Sequence, residues 1–305
     1  LLNFIINPNS GGERGYRLWK KLEHHLIKKK IVYKAYITDG IGDAAKIAHD
    51  ITDTEDEVCI IAVGGDGIAN EILDGARIAP NFTMGYIPTG SGNDLARGLK
   101  LPKNPKKCLK RILKPKEIKE IDYGILNYGE GEHRRFIVSA GIGYDAQVCH
   151  DIAERRRLGI PSGFLFKKFI YIISGIKQLL RVKSVKGYVI FDGDKKIEFN
   201  NIVLVASHNH PTEGGGFKFS PKADNADGEL SVCIVHHKSK LRLVKILLSA
   251  LLGNHLKYAG VRNRECRELK IHTELPLAVH TDGEVVGMYT DIELRCVKQK
   301  LRFII

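Results

Sequence analysis

Short apolar runs alternate with stretches of helical spacing through the first hundred residues. Residues 1–6, 58–63 and 82–87 are apolar runs of strand length, and 32–38 alternates apolar with polar. Between them, residues 16–29 repeat leucine at helical spacing (Leu18, Leu22, Leu26), and residues 43–51 and 69–77 also read as helices. This βαβα order predicts a parallel sheet with helices on both faces. Ligands of such sheets bind at the carboxyl ends of the strands. Those ends are Asn7-Pro8-Asn9-Ser10-Gly11-Gly12, Thr38, Gly64-Gly65-Asp66-Gly67 and Thr89-Gly90-Ser91-Gly92-Asn93-Asp94.

The pattern breaks at residues 100–119, a lysine-rich stretch with three prolines that reads as one helix with loose flanks. Beyond Ile121 the texture is β. Strands are expected at 134–140, 187–191, 196–206, 230–236, 268–273 and 291–296, with Asp192-Gly193-Asp194 as a hairpin turn. Helices are expected at 162–181 and 240–252. The fold class that follows is an α/β nucleotide-binding domain, residues 1–121, and a mainly-β sandwich, residues 122–289. The last strands, about 290–305, are free to pack back on the first domain.

Composition narrows this picture. At 305 residues, 43% apolar and 27% charged, the chain has the makeup of a globular protein with two cores. The longest apolar stretches are interrupted by lysines, so none has the length of a bilayer span. No basic leader opens the sequence, and the six cysteines show no CxxC spacing, which together imply a reducing, cytoplasmic setting. The net charge of +13 is uneven: residues 1–99 hold 11 Lys and Arg against 13 Asp and Glu, and residues 100–305 hold 37 against 22. The basic excess suits nucleic acid or an anionic membrane surface, with solvated lysines as the plain alternative. Arg155-Arg156-Arg157, Lys167-Lys168, Lys177, Arg181 and Lys183 flank Phe166, Phe169, Ile172, Ile173, Ile176, Leu179 and Leu180. That mixture fits an interfacial helix or a core helix with a basic outer face.

The two glycine turns carry the chemistry. Each follows an apolar run and precedes a helix start, so backbone N–H groups can approach an anion without side-chain obstruction. Either turn alone is ordinary. Two together, each with a carboxylate, point to a nucleotide phosphate site with a metal ion. No GxxxxGK[ST] is present. Gly141-Ile142-Gly143-Tyr144-Asp145-Ala146 fits GxGxxA but lies outside any βαβ unit, which argues against a dinucleotide fingerprint. His208-Asn209-His210 and His236-His237 lack partners at metal-ligand spacing and read as structural. The turn Asp224-Asn225-Ala226-Asp227-Gly228-Glu229 fits a hard-cation loop and a plain Asp-Gly turn equally. The turn His280-Thr281-Asp282-Gly283-Glu284 can present an acid as a general base, one role among several.

These motifs, taken in order, resemble the diacylglycerol kinase catalytic-domain family, especially its soluble bacterial lipid kinases; sphingosine and ceramide kinases are relatives, and NAD kinases more distant ones. The resemblance rests on Gly64-Gly65-Asp66-Gly67, on the segment from Thr89 to Arg97, on Gly141-Ile142-Gly143-Tyr144-Asp145 and on Asp282-Gly283-Glu284. The opening Asn7-Pro8-Asn9-Ser10-Gly11 and the loop 221–230 match as well, so it covers essentially the whole chain. It implies an ATP- and Mg2+-dependent lipid kinase, with diacylglycerol as the favoured acceptor. Another lipid alcohol (a sphingoid base, a prenol, another glycerolipid) is the alternative, and a nucleotide- or lipid-binding module without turnover is a third. It implies that ATP lies over Asn7, Pro8, Asn9, Ser10, Gly11, Thr38, Gly64, Gly65, Asp66, Gly67, Ile68, Ala69, Asn70 and Thr89. Asp66 and Asp94 would organise metal and phosphates, Glu284 would take the acceptor hydroxyl proton, and Asp224, Asp227 and Glu229 would hold a structural magnesium. The implied setting is cytoplasmic and peripheral to the membrane. The partner is a lipid alcohol at an anionic surface, no nucleic acid is expected, and a homodimer is allowed for. One departure stands out: the family usually has Thr where this chain has Ile68.

Overall fold

The computed structural model describes residues 1–157 and 167–305. The chain divides into two compact units, one of residues Leu1–Asp122 with Lys298–Ile305, the other of Tyr123–Val297.

In the first unit, strands β1 (Leu2–Ile6), β2 (Tyr33–Ile37), β3 (Val58–Gly64) and β4 (Phe82–Pro88) run parallel, as the alternation predicts. Helices α1 (Ser10–Lys28), α2 (Asp43–Thr52), α3 (Asp66–Gly75), α4 (Asp94–Gly98) and α5 (Pro105–Leu113) follow or precede them, and β5 (Ile118–Ile121) closes the segment. The leucine period of α1 does what amphipathicity requires. Trp19, Leu22 and Leu26 are buried against β1, and Trp19 meets Phe4 with ring centroids 5.1 Å apart. Each such side chain contributes about 1.5–3 kcal/mol. Helix α1 starts six residues before the expected start at 16, through Gly11 and Gly12 at φ +65° and +75°. α5 accounts for the lysine-rich stretch: Asn104 caps it by accepting from the Lys106 N–H, with proline in its first turn.

The second unit is antiparallel throughout. It contains β6 (Gly124–Tyr128), β7 (Glu132–Phe136), β8 (Ser139–Gly143), α6 (Tyr144–Arg157), α7 (Lys167–Arg181), β9 (Val185–Phe191), β10 (Ile197–His208), β11 (Leu230–His236), α8 (Lys240–Ala250), β12 (Val261–Cys266), β13 (Glu268–Thr281) and β14 (Glu284–Cys296). The two long strands bend at register shifts. One part of β10 and of β13 pairs with β9, and the other part of each pairs with β8. The sheet therefore folds around a core that includes Phe136, Ile142, Val189, Ile202, Leu230 and Val279. Between α7, α8 and the sheet a second core forms around Leu179, Phe217, Phe219, Leu243 and Leu247.

The chain ends with β15 (Leu301–Ile304), parallel to β4 and antiparallel to β5 in the first sheet, which has the order β2-β1-β3-β4-β15-β5. The returning segment is thus shorter than residues 290–305: β14 stays in the second sheet, and residues 298–305 join the first unit. Three other expectations change. The strand expected at 134–140 is two strands with a turn between. The expected β texture hid α6, which follows β8 directly. The helix expected at 162–181 is described from Lys167. Arg155, Arg156, Arg157, Phe166, Lys167, Lys168, Phe169 and Ile172 have side chains outside the described residues, so the interfacial-helix expectation rests on the remainder. There, Leu179 is buried while Ile173, Lys177, Leu180 and Arg181 are exposed.

Candidate active site

Three loops at the carboxyl ends of β1, β3 and β4 touch one another. Thr89 N and Gly90 N both donate to the Gly64 carbonyl, at 2.7 and 3.1 Å. The Ser10 and Thr89 hydroxyls are 2.5 Å apart. A Cβ on Gly11 would lie 2.4 Å from the Thr89 carbonyl oxygen, and one on Gly90 would lie 2.5 Å from the Gly65 Cα. Both glycines are there because the loops pass too close for a side chain. Asn7 Oδ1 accepts from Asn9 N at 2.9 Å, shaping the first loop. Thr38 ends β2 with its hydroxyl donating to the Ile6 carbonyl at 3.2 Å. The sequence-predicted residues Asn7–Gly11, Thr38, Gly64–Asn70 and Thr89 thus all stand on loops, strand ends or helix starts at one edge of the sheet.

The acids stand beside these loops. Asp66 opens α3, and its two oxygens accept from the backbone N–H of Asp94 (2.9 Å) and of Leu95 (3.2 Å), so it also caps α4. Asp94 is buried and paired with Arg97, whose Nη2 also donates to the Gly92 carbonyl at 3.0 Å. Asn93 takes the left-handed conformation, φ +53°, that turns the chain into α4. A point one bond out from the Gly92 Cα lies 3.2 Å from Asp66 Oδ2 and 3.5 Å from Asp94 Oδ2. This is a space a side chain would fill, lined by two carboxylate oxygens. Its donor set is what a hard cation takes. Burial pushes the Tyr86 phenol well above its ordinary pKa, and Asp66 and Asp94 add to the rise. Its hydroxyl, which approaches Asp66 Oδ1 and Asn93 Oδ1, stays a donor.

Ile68 packs beside Gly64. It is buried, and a Cβ on Gly64 would lie 2.5 Å from its Cγ2. The branched side chain therefore covers the bare end of β3 from within the first turn of α3.

In the second unit, Glu284 is half-buried and follows the two-residue turn Asp282-Gly283, beside a bulge between Val279 and His280. The Asp282 carboxylate accepts from Ile137 N, Val138 N and Ser139 N at 2.8–2.9 Å. Beneath the turn is a buried cluster that sequence reasoning missed. His280 Nε2 is 3.1 Å from Asp145 Oδ2 and 3.4 Å from Glu213 Oε1, and Glu213 Oε2 is 2.8 Å from His208 Nε2. Burial would raise the Glu213 carboxyl, but the His280 and His208 rings outweigh it and bring it down to about 2. Burial would lower His280, and the same carboxylates raise it instead. His208 has a buried carboxylate partner, Glu213, five residues on, in a glycine-rich loop that gives no metal-ligand spacing. Buried His210 lies 3.3 Å from Asn225, and burial lowers its pKa to about 4. The fit of Gly141–Ala146 to GxGxxA has a helix after it, yet β8 pairs antiparallel with β10 and β13, so it is no βαβ turn.

Asp224, Asp227 and Glu229 share one surface loop. Asp224 Oδ1 accepts from Ala226 N at 3.1 Å and Asp227 Oδ1 from Glu229 N at 2.9 Å, two side-chain turns. Glu265 was not anticipated; its carboxyl is pushed up by burial and by Asp227 and Glu229. Such crowding of negative charge on an oxygen-rich loop fits a hard cation. The three loop carboxylates do not form a tight group. Among the described residues, the one set of three ligand atoms mutually within 4.8 Å belongs to Cys149, Glu213 and His280.

Comparison with known proteins bears on the chain as a whole. Residues 2–126 match the diacylglycerol kinase catalytic domain, and residues 137–305 match the YegS C-terminal NAD kinase beta sandwich-like domain. A diacylglycerol kinase of Staphylococcus aureus (strain MRSA252) is 31% identical over 288 residues, covering 93% of this chain and 85% of its own. A Bacillus subtilis (strain 168) protein, provisionally named as the lipid kinase YtlR, is 27% identical over 291 residues, 93% of each chain. A solved structure from Bacillus anthracis str. Sterne, provisionally titled a diacylglycerol kinase, superposes with TM-score 0.76 at 23% identity, over 99% of this chain and 96% of that one. An Archaeoglobus fulgidus NAD kinase, solved in complex with ATP, shares the fold at TM-score 0.53 and 13% identity, over 100% and 94% of the two chains.

Proposed function

The chain belongs to the diacylglycerol kinase catalytic-domain family, and from that premise we propose that it transfers the γ-phosphoryl group of ATP to diacylglycerol, with Mg2+ as the metal. The observation that carries this reading is the space beside Gly92. Two carboxylate oxygens line it, and the loops that follow β1, β3 and β4 meet next to it. Phosphoryl transfer needs positioning and charge neutralisation more than covalent chemistry from the protein. Asn7–Gly11, Thr38, Gly64–Asn70 and Thr89 hold the nucleotide, with backbone N–H groups at the α3 start facing its phosphates. Asp66 and Asp94 would hold the cation. When bound, Mg2+ would offset phosphate charge during transfer. Glu284 accepts the proton of the attacking hydroxyl. Asp224, Asp227 and Glu229, together with main-chain carbonyls of their loop, would hold a second, structural cation. Ile68 costs none of this, because its side chain packs on Gly64 and leaves phosphate contact to the backbone.

The lipid is met at an anionic membrane surface. No helix among the described residues is long and apolar enough to cross a membrane. The exposed Ile173 and Leu180 of α7, with Lys177 and Arg181, suit contact with the interface instead. The test is transfer of labelled phosphate from ATP to a panel of lipids in mixed micelles. Diacylglycerol should carry the label and require Mg2+. Label on a sphingoid base or prenol would move the acceptor, ATP binding without transfer would make this a binding module, and label on NAD and no lipid would overturn the substrate class.

A further inference from the structure

We propose that His280 is a positioning residue for Glu284, holding from beneath the turn on which Glu284 stands; this rests on the reading of Glu284 as the proton acceptor. The turn needs holding. Asp282 and Gly283 lie at φ +48° and +85°, a pair that closes a two-residue hairpin but strains a non-glycine residue. Two anchors offset the strain. One is the Asp282 carboxylate on three backbone N–H groups. The other is the His280 ring, whose Nδ1 accepts from Gly283 N at 3.3 Å. That N–H belongs to the Asp282–Gly283 peptide at the centre of the turn, so the ring holds the turn from which Glu284 leaves.

The ring is itself fixed from the far side. Nε2 faces Asp145 Oδ2 and Glu213 Oε1, Glu213 reaches His208, and His208 Nδ1 meets Ser220 Oγ at 3.0 Å. All five side chains are buried. The sheet is built to admit this. Gly141 is the residue opposite His280 in the β8–β13 pairing, and a Cβ there would lie 2.6 Å from Asp145 Oδ2. The first glycine of Gly141-Ile142-Gly143-Tyr144-Asp145 makes room, and the aspartate four residues on fills it. A packing role alone would be met by an apolar side chain at lower desolvation cost.

A metal ion is the competing use of the same atoms, since Cys149, Glu213 and His280 could ligate one. The Gly283 contact favours the positioning role. An N–H aimed at Nδ1 requires a lone pair there, which puts the ring proton on Nε2. A metal on Nε2 would require the opposite tautomer. Asp145, Glu213 and, more distantly, Asp282 favour a second ring proton at Nδ1. The Gly283 N–H opposes it.

His280→Asn and His280→Leu separate the contact from the packing. Asn can set its Oδ1 where Nδ1 stands, whereas Leu fills similar volume with no acceptor. The Gly283 amide should be protected from hydrogen exchange in the wild type and in the Asn variant, and unprotected in the Leu variant. kcat should stay within about threefold of wild type for Asn and fall on the order of tenfold or more for Leu, with ATP affinity unchanged in both. Thermal melts of both variants must show that activity does not simply follow stability. Equal kcat in the two variants, an unprotected Gly283 amide in the wild type, or one equivalent of bound zinc that the Leu variant loses would each overturn the proposal. Near-normal kcat in Glu284→Gln would remove the base reading alone, and the Asn–Leu contrast at Gly283 would still decide whether His280 holds the turn.

Discussion

The glycine loops of the first unit and the histidine–carboxylate cluster of the second solve opposite electrostatic problems. The loops gather half-buried Asp66 and buried Asp94, the latter against Arg97, beside three glycine turns, and in the proposed reading a bound nucleotide and cation complete their charge. The cluster is closed from water and supplies its own partners, imidazole against carboxylate. A loop site is therefore built to exchange its partner, and a buried cluster to keep its geometry. In this reading, nucleotide handling belongs to the first region and the aim of the proton acceptor to the second.

The most severe test of that division is a pair of isosteric changes. Glu284→Gln keeps size and removes the proton acceptor, so kcat should fall by about 10²–10⁴ with ATP affinity barely changed. Asp66→Asn should weaken metal-dependent ATP binding as well as turnover, and should loosen α4, whose first N–H groups it caps. Steady-state rates beside equilibrium ATP titrations read both. Parallel losses of affinity in the two variants would break the comparison, and near-normal kcat in Glu284→Gln would make Asp66 the next candidate base.

The same contrast explains what was legible in the sequence. The loops are contiguous segments. Glycine spacing after apolar runs announced them, and the contact that joins Asp66 to Asp94 spans only 28 positions. The cluster joins residues 135 apart in its His280–Asp145 contact. Glu213 sits in Thr212-Glu213-Gly214-Gly215-Gly216, and no local spacing marks it as a partner of His208 or His280. The signal that could have found it is a pair of histidines on a run otherwise fit for a buried strand, which require carboxylates nearby. Strands were lost for a related reason. β6 and β12 carry polar residues at half-exposed positions, so their alternation is faint, and α6 hides behind a glycine-rich strand end. The parallel sheet was legible because buried parallel strands are nearly continuous apolar runs.

Closure from water can be measured on the acid side. His210 is fully buried and its pKa lies near 4, against about 6.5 in an unfolded chain. The folded state therefore resists protonation, and the stability this gives is present above pH 6.5 and lost as pH falls toward 4. The loss should be on the order of 3 kcal/mol. The Glu213 contribution is lost lower, between about 4.5 and 2, so the two windows separate. Calorimetry between pH 7 and 4 should show a steeper fall for wild type than for His210→Gln. Matching slopes would mean that water reaches this ring and that the cluster's surroundings are not closed.

The acidic loop sharpens the comparison from the other direction, as a site in the second unit that works like the first. Asp227→Ala should lower the melting temperature measured in magnesium, by the equivalent of about 1–3 kcal/mol, because the ion stabilises only the folded loop. Raising magnesium should lift the wild-type melting temperature and leave that of the variant in place. An equal response in both proteins would take the ion elsewhere.

The smallest effect should come from Ile68→Thr, and its smallness is the point. If the loops bind phosphate through backbone, the side chain at this position has only a packing duty. Ile68 performs it by covering Gly64, where a Cβ would collide with its Cγ2. Threonine keeps that methyl branch and replaces the remaining ethyl arm with a hydroxyl, which can turn back onto the carbonyl four residues earlier, at the end of β3. That carbonyl belongs to Gly64 and already receives the N–H groups of Thr89 and Gly90. Stability should fall by about 1 kcal/mol for the lost buried carbon, and ATP affinity should move less than about threefold, well under the 1.4 kcal/mol of a tenfold change. An order-of-magnitude gain in ATP affinity would show that a phosphate-binding hydroxyl is missing here, and that side chains as well as backbone build the loops of the first unit.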